Sequence, residues 1–145
     1  MDALQTTYTD RQPRFIEGMI PDMRTPGEDI SMNVETAAGI GFGKVAVQGA
    51  RDNQIRVSAA SRAFRGITVL DTTQLQDSYP QYATARVRTQ GPVVVTAAVA
   101  VQPGQPAYFV PGTGALTNVA TDNTLIGKWE TTTTAANQLA VLTLS

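Results

Sequence analysis

From residue 30 to residue 145, apolar residues fall on every second position in short runs, and turn-forming residues separate the runs. "ISMNVET" puts Ile30, Met32 and Val34 on one face, which is the period of a strand. "KVAVQ" and "QIRVSA" flank "GARDN", where Gly49 and the Asp52-Asn53 pair carry turn chemistry. "FRGITVL" follows, and then the polar "DTTQLQDSYPQ", which reads as a long loop. "YATARVR" alternates Ala83, Ala85 and Val87 against Thr84, Arg86 and Arg88. "GPVVVTAAVAVQ" is mostly apolar and rich in β-branched residues, so it reads as a strand buried on both faces or bent midway. "PAYFV", "GALTNV", "TLIGKWE" and "QLAVLTL" complete the series, separated by "PGTG", "ATDN" and "TTTTAAN". No segment carries a 3.6-residue stripe. Strands recurring roughly every eight to twelve residues indicate a sandwich or barrel.

A faint internal repeat runs through this pattern. A shift of 61 positions carries residues 30–69 onto 91–130 without a gap. Gly43 meets Gly104, Ala46 meets Ala107, Ala59 meets Ala120 and Gly66 meets Gly127. Apolar positions also match: Met32 with Val93, Val34 with Val95, Ile40 with Val101, Ile55 with Leu116, Phe64 with Leu125. The fold expected is all-β, a jelly-roll-like sandwich or barrel. Two similar β halves are what the repeat suggests.

Residues 1–29 differ. They hold three prolines, two glycines and many charges, and their apolar residues Phe15, Ile16, Met19, Ile20 and Met23 keep no period. Pro21 and Pro26 remove donors and bias the residues before them toward extended geometry. An extended N-terminal arm over 1–29 is expected, followed by a β domain over 30–145. A purely solvated tail would not need the apolar cluster at 15–23.

Composition narrows the chemistry. The chain has no cysteine and no histidine, so thiolate sites and the commonest general base and metal ligand are missing. Net charge is −1, with 11 basic and 12 acidic residues, and that balance gives no electrostatic case for nucleic acid. Only Lys44 and Lys128 among the basic residues are not Arg, the residue favoured for bridging carboxylates across interfaces. No apolar run approaches a membrane span of about 20 residues, and the N-terminal residues lack a signal-peptide pattern. A soluble protein made in a cytoplasm is expected, without cofactor or metal.

Three motifs invite a sharper reading. Gly39, Gly41 and Gly43 precede Lys44 in "AAGIGFGKVAVQGA". A Walker loop would need Ser or Thr where Val45 stands, and a dinucleotide fingerprint would need a helix where "KVAVQ" alternates as a strand. Gly43 is therefore read as a turn or bulge that starts a strand, with Lys44 on its edge. Glu28 and Asp29 are adjacent, but calcium-loop spacing is absent; Asp52, Asp71 and Asp122 read as turn residues. Tyr79 and Tyr82 bracket Pro80 as a sugar platform would, or as a loop pinned to the core would; Trp129 reads as core or interface. Arg86 and Arg88 project with Thr84 to one side of a strand, as a contact patch or a solvated face.

Taken together, "GMIPDMRTPGEDISMNVETAAGIGFGKVAVQG", "FRGITVLD", "YPQYATARVRTQGPVVV" and "AVQPGQPAYFVPGTGALTN" occur in this order over nearly the whole chain. The sequence resembles the structural cement (head decoration) proteins of tailed bacteriophages. The resemblance implies a non-enzymatic virion protein that binds the outer capsid surface and clamps neighbouring major capsid subunits. It implies self-association as a homodimer or homotrimer, and partners that are neither nucleic acid nor membrane. Contact residues implied for capsid binding are Arg11, Arg14 and Arg24 for carboxylates, and Phe15, Ile16, Met19 and Ile20 for pockets, with Arg86 and Arg88 on the β domain. A phage tail or baseplate β module and a carbohydrate-binding β module are the alternatives.

Overall fold

The computed structural model describes residues 15–24, 27–57 and 63–145. All regular elements in them are strands: β1 (Glu28–Val34), β2 (Ile40–Gly41), β3 (Val45–Gln48), β4 (Gln54–Val57), β5 (Phe64–Thr68), β6 (Ser78–Tyr79), β7 (Thr84–Ala97), β8 (Pro106–Phe109), β9 (Leu116–Thr117), β10 (Thr124–Trp129) and β11 (Gln138–Leu144). Of the architectures expected from the sequence, the chain adopts the barrel. One ring closes as β1-β4-β3-β5-β7 and back to β1, and a second as β7-β9-β8-β10-β11 and back to β7. Strand β7 belongs to both. Closure of this kind removes the open sheet edges that invite aggregation.

The 61-residue repeat is legible in the pairing. In the first ring β3 meets β5 as Val45↔Ile67, Ala46↔Gly66 and Val47↔Phe64, with a bulge after Ala46. In the second, β8 meets β10 as Pro106↔Lys128, Ala107↔Gly127 and Tyr108↔Leu125, with the bulge at the same place. The hairpin register Gln48↔Ile55 likewise maps onto Phe109↔Leu116. Each ring contains one parallel contact, β1 with β4 and β7 with β9. Ala46 and Ala107 both point inward and are fully buried, as a crowded barrel interior requires.

Strand β7 carries the two runs that the sequence presents separately, "YATARVR" and "GPVVV". Gly91 has φ of +102° and Pro92 has no N–H to donate, yet the strand does not break. It continues because residues 91–97 pair in unbroken register with β11. Val93, Val94 and Val95 are all fully buried, so of the two readings of this run it is enclosure on both faces that holds.

Two apolar clusters result. Met32, Val34, Ile55, Ala85 and Val87 fill the first ring. Val93, Val95, Leu116, Trp129 and Leu142 fill the second, and Val45, Val47 and Ile67 join them from the outer face of the first ring. Phe64 and Phe109 stack across this seam at 5.3 Å, so the rings share one buried interface. The polar loop 71–81 contains one short element: β6 pairs with β2 through Ile40↔Tyr79 and Gly41↔Ser78.

Candidate functional site

Residues 15–24 lie against the rings as a strap. Gly18 N–H donates to Val94 O and Val94 N–H donates to Met19 O, both at 2.8 Å, so the strap adds itself to the free side of β7. Leu70 N–H donates to Gly18 O at 2.9 Å. Gly18 has φ of +85°, and a β-carbon there would stand 2.8 Å from Phe42 Cβ and 2.9 Å from Gly43 N. Glu17 pairs with Lys44 at 2.9 Å and accepts a hydrogen bond from the Thr96 hydroxyl. Farther along, Arg24 reaches Glu130 at 2.6 Å, just beyond β10. The strap is thus tied to the first ring, to β7 and to the second ring.

These contacts place the arm residues singled out in the sequence. Arg11 and Arg14 lie outside the described residues. Phe15, Met19 and Ile20 are half-buried, while Ile16 is 55% exposed. Arg24 is engaged within the chain, by Glu130 and by a side-chain pairing with Asp22. Hydrogen bonds from the Arg24 side chain, and then from its backbone N–H, hold the Asp22 carboxyl down at about 2 from its ordinary 3.8. A depressed carboxylate keeps its pairing above its ordinary range and loses it as pH falls through the lowered value. An NMR titration should therefore find the Asp22 midpoint near 2, and Arg24→Ala should return it to the ordinary carboxylate range. An Asp22 midpoint unmoved by Arg24→Ala would show that the pair does not form.

Arg86 and Arg88 part company. Arg86 is exposed, and its Nε donates to Asp29 Oδ2 at 2.8 Å. Arg88 is only 5% exposed and donates from Nη1 to Asp29 Oδ1 at 3.0 Å. Thr84, Arg86 and Arg88 share one side of β7, and Asp29 bonds both arginines from it; the solvated face holds for Thr84 and Arg86 and fails at Arg88. Alternation alone puts both arginines on one side, but the chain entering β1 covers that side at Arg88. A β-carbon on Gly27 would stand 2.8 Å from Arg88 Nη2. Asp29 is directly opposite Arg88 in the β1–β7 register, so this carboxylate serves to hold β1 on β7. Among the described residues the buried Arg88 Nε has no hydrogen-bond partner.

The glycine-rich stretch is a corner. Gly43 has φ of +70° and directly precedes the residue that leads into β3; its repeat partner Gly104, at +87°, leads into β8 in the same way. Thr68 Oγ1 accepts from Lys44 N–H and donates to Gly41 O, which satisfies the corner's backbone. No helix N-terminus faces it, since the described residues contain no helix. Of Tyr79, Tyr82 and Trp129, the first and last are each 1% exposed and only Tyr82 stands at the surface, so the three form no flat patch for a sugar. Tyr79 packs edge-on against Phe42 and donates its hydroxyl to Val69 O at 2.6 Å, pinning the loop to the core. Burial pushes its hydroxyl pKa up.

The sequence gives no sign of two further features. Gly18 and Gly43 meet although 25 residues separate them in the chain, and no local pattern encodes that contact. Leu75 and Leu125 stand exposed, which follows from how the chain is folded around them.

The chain is similar to phage structural proteins. A family model described as structural cement protein (E217 gp24/Pam3 gp6) matches residues 4–145. A chain from the capsid of Myoviridae phage XM1 superposes with a TM-score of 0.75 at 16% identity, covering 97% of this chain and 96% of that one. The head fiber gp8.5 N base of bacteriophage phi29 is more distant, with a TM-score of 0.49 at 11% identity over 82% of this chain and 94% of that one. No curated protein sequence matches.

Proposed function

This chain belongs to the phage structural cement protein family, and on that premise we propose that it binds the outer surface of the capsid and clamps neighbouring major capsid subunits. It does so by binding alone, without catalysis. The observation that carries this reading is the family match over nearly the whole chain. The physics of the fold agrees with it. Two closed rings sharing β7 resist deformation, and the described surface bears exposed apolar anchors such as Ile16 and Leu75. Weak contacts become strong when many copies repeat them around a shell.

Within that reading the candidate contact residues divide. Arg11, Arg14, Ile16 and Arg86 are the ones proposed to bind the shell, whereas Met19, Ile20, Arg24 and Arg88 hold the protein's own frame. Phe15 stands at the junction. A tail or baseplate module remains the rival reading of a phage β protein. Heads lacking the protein, incubated with purified chain and imaged by cryo-electron microscopy, separate the two. Density on the head exterior between neighbouring subunits, with a raised melting temperature of the heads, is expected. Density confined to the tail overturns the proposal.

Truncation gives a second check. A chain starting at residue 15 keeps every contact described above, so it should fold normally and bind heads more weakly. A chain starting at residue 25 loses the strap's backbone hydrogen bonds and ion pairs, and should lose about 2 kcal/mol of stability as well. Equal head binding by the residue-15 chain and the full chain would remove Arg11 and Arg14 from the contact.

A further inference from the structure

We propose that the depression beside Tyr82 binds a neutral saccharide. Tyr82 has φ of +67°, a backbone conformation that disfavours a bulky side chain and that turns reserve for Gly or Asn. It holds the third place of the turn that Ala83 N–H closes on Pro80 O at 3.1 Å. The turn is fastened on both sides of the residue: Tyr82 N–H donates to Val34 O and Asn33 Nδ2 donates to Tyr82 O, each at 2.8 Å. The core draws little from the side chain held in this way, because Tyr82 is 68% exposed. A glycine would close the same turn without the strain. Strained residues persist where a ligand is clamped.

The surroundings select the ligand. Asn33, Glu35, Arg51, Asn53 and Gln54 line a depression of about 510 Å³ together with Tyr82, which is within the size of small-ligand clefts. Glu35 Oε2 accepts from Ala50 N–H at 3.1 Å, which fixes the carboxylate. Arg51 belongs to no ion pair among the described residues. One carboxylate and one guanidinium cancel, so the lining carries no net charge to recruit an ion. The three amides and the two charged groups both donate and accept, as sugar hydroxyls do in return. The tyrosine ring offers its face to sugar C–H groups. A peptide strand finds no open edge here, since β1 and β4 already pair as Asn33↔Gln54 and Val34↔Ile55. The site rests on one ring set among polar groups, and not on a flat patch of Tyr79, Tyr82 and Trp129. It goes beyond capsid binding and does not depend on it.

NMR titration of the isotope-labelled full chain with maltotriose, cellotriose, chitotriose and mannotriose tests it. At least one of these should shift the Tyr82, Arg51 and Gln54 amides saturably, with a Kd of about 1 mM. Tyr82→Gly should weaken that binding about tenfold or more and Arg51→Ala about threefold, while Tyr82→Phe retains it. Tyr82→Gly should melt no lower than the wild type, because it relieves the left-handed backbone. No saturable shift with any of the sugars up to about 20 mM overturns the proposal, as does binding that survives Tyr82→Gly. A Tyr82→Gly protein that melts lower would show that the ring serves the fold, and overturns it too. Binding seen only after residues 1–14 are removed would make the arm the occupant. A Tyr82→Gly protein that loses head attachment, with no sugar bound by the wild type, would give the depression to the shell. Either result overturns the proposal.

Discussion

Gly127→Ala is expected to lower the melting temperature by roughly 15 °C, a loss of about 4 kcal/mol. A β-carbon at Gly127 would stand deep inside van der Waals contact with the Thr143 carbonyl oxygen, and 3.1 Å from Leu144 Cα. These atoms belong to the neighbouring strand's backbone, which cannot step aside as a flexible side chain can. The register Gly127↔Leu144, Lys128↔Thr143 and Trp129↔Leu142 closes the second ring at this point, so the methyl group must force β10 from β11. Gly66→Ala should behave alike, since its β-carbon would meet the Arg88 carbonyl oxygen in the first ring. Gly112 is the control: nothing lies within 4 Å of its β-carbon position, and Gly112→Ala should stay within about 0.5 kcal/mol of the wild type. Thermal melts followed by circular dichroism read all three. A Gly127→Ala protein that melts with the wild type would show that β10 and β11 do not approach this closely.

Gly43→Ala should cost about 3 kcal/mol and release the strap. The left-handed backbone at +70° disfavours any β-carbon by about 1–2 kcal/mol. The added atom would also stand 2.6 Å from Glu17 Cγ and 2.8 Å from Gly18 N. Relieving that clash lifts residues 17–19 from β7 and forfeits their hydrogen bonds to Val94, each worth about 1 kcal/mol. Hydrogen exchange should show faster exchange at the Gly18 and Val94 amides, with the β10–β11 amides less affected. Protection at Gly18 equal to that of the wild type would show that the corner and the strap are uncoupled. Gly104→Ala isolates the conformational part, because Gly104 shares the left-handed backbone but has nothing within 4 Å.

Much of the fold was legible because strand periodicity is local. The alternation at Ile30, Met32 and Val34, the turn at Asp52-Asn53 and the inward Ala83, Ala85 and Val87 each need only a few neighbouring residues to be read. The pairing of Gly66 with Gly127 was visible in the repeat, although not the reason for it: each lies where a neighbouring strand's carbonyl approaches. The burial of Arg88 was not legible because period two assigns a residue to a side of the strand and does not say what lies on that side. The polar loop 71–81 concealed β6 because a two-residue strand carries no period, and Tyr79 belongs to the core through its contact with Phe42.

The sequence by itself determined an all-β chain built on a 61-residue repeat, with Gly43 and Gly104 at equivalent strand starts and no histidine or cysteine for chemistry. Its family character is carried by segments in fixed order along nearly the whole chain. Tertiary structure alone decided that the halves close as two rings through a shared β7, that the strap enters at Gly18 and Gly43, and that Arg88 is buried while Arg86 is exposed. It also decided how two residues that the repeat equates are used: Phe64 stacks at the seam and Leu125 stands exposed. The physical reason is the range of the interactions. Turn and strand preferences act between residues close in the chain, whereas burial depends on what the rest of the chain brings alongside, and two equivalent faces of a repeat need not have the same neighbour.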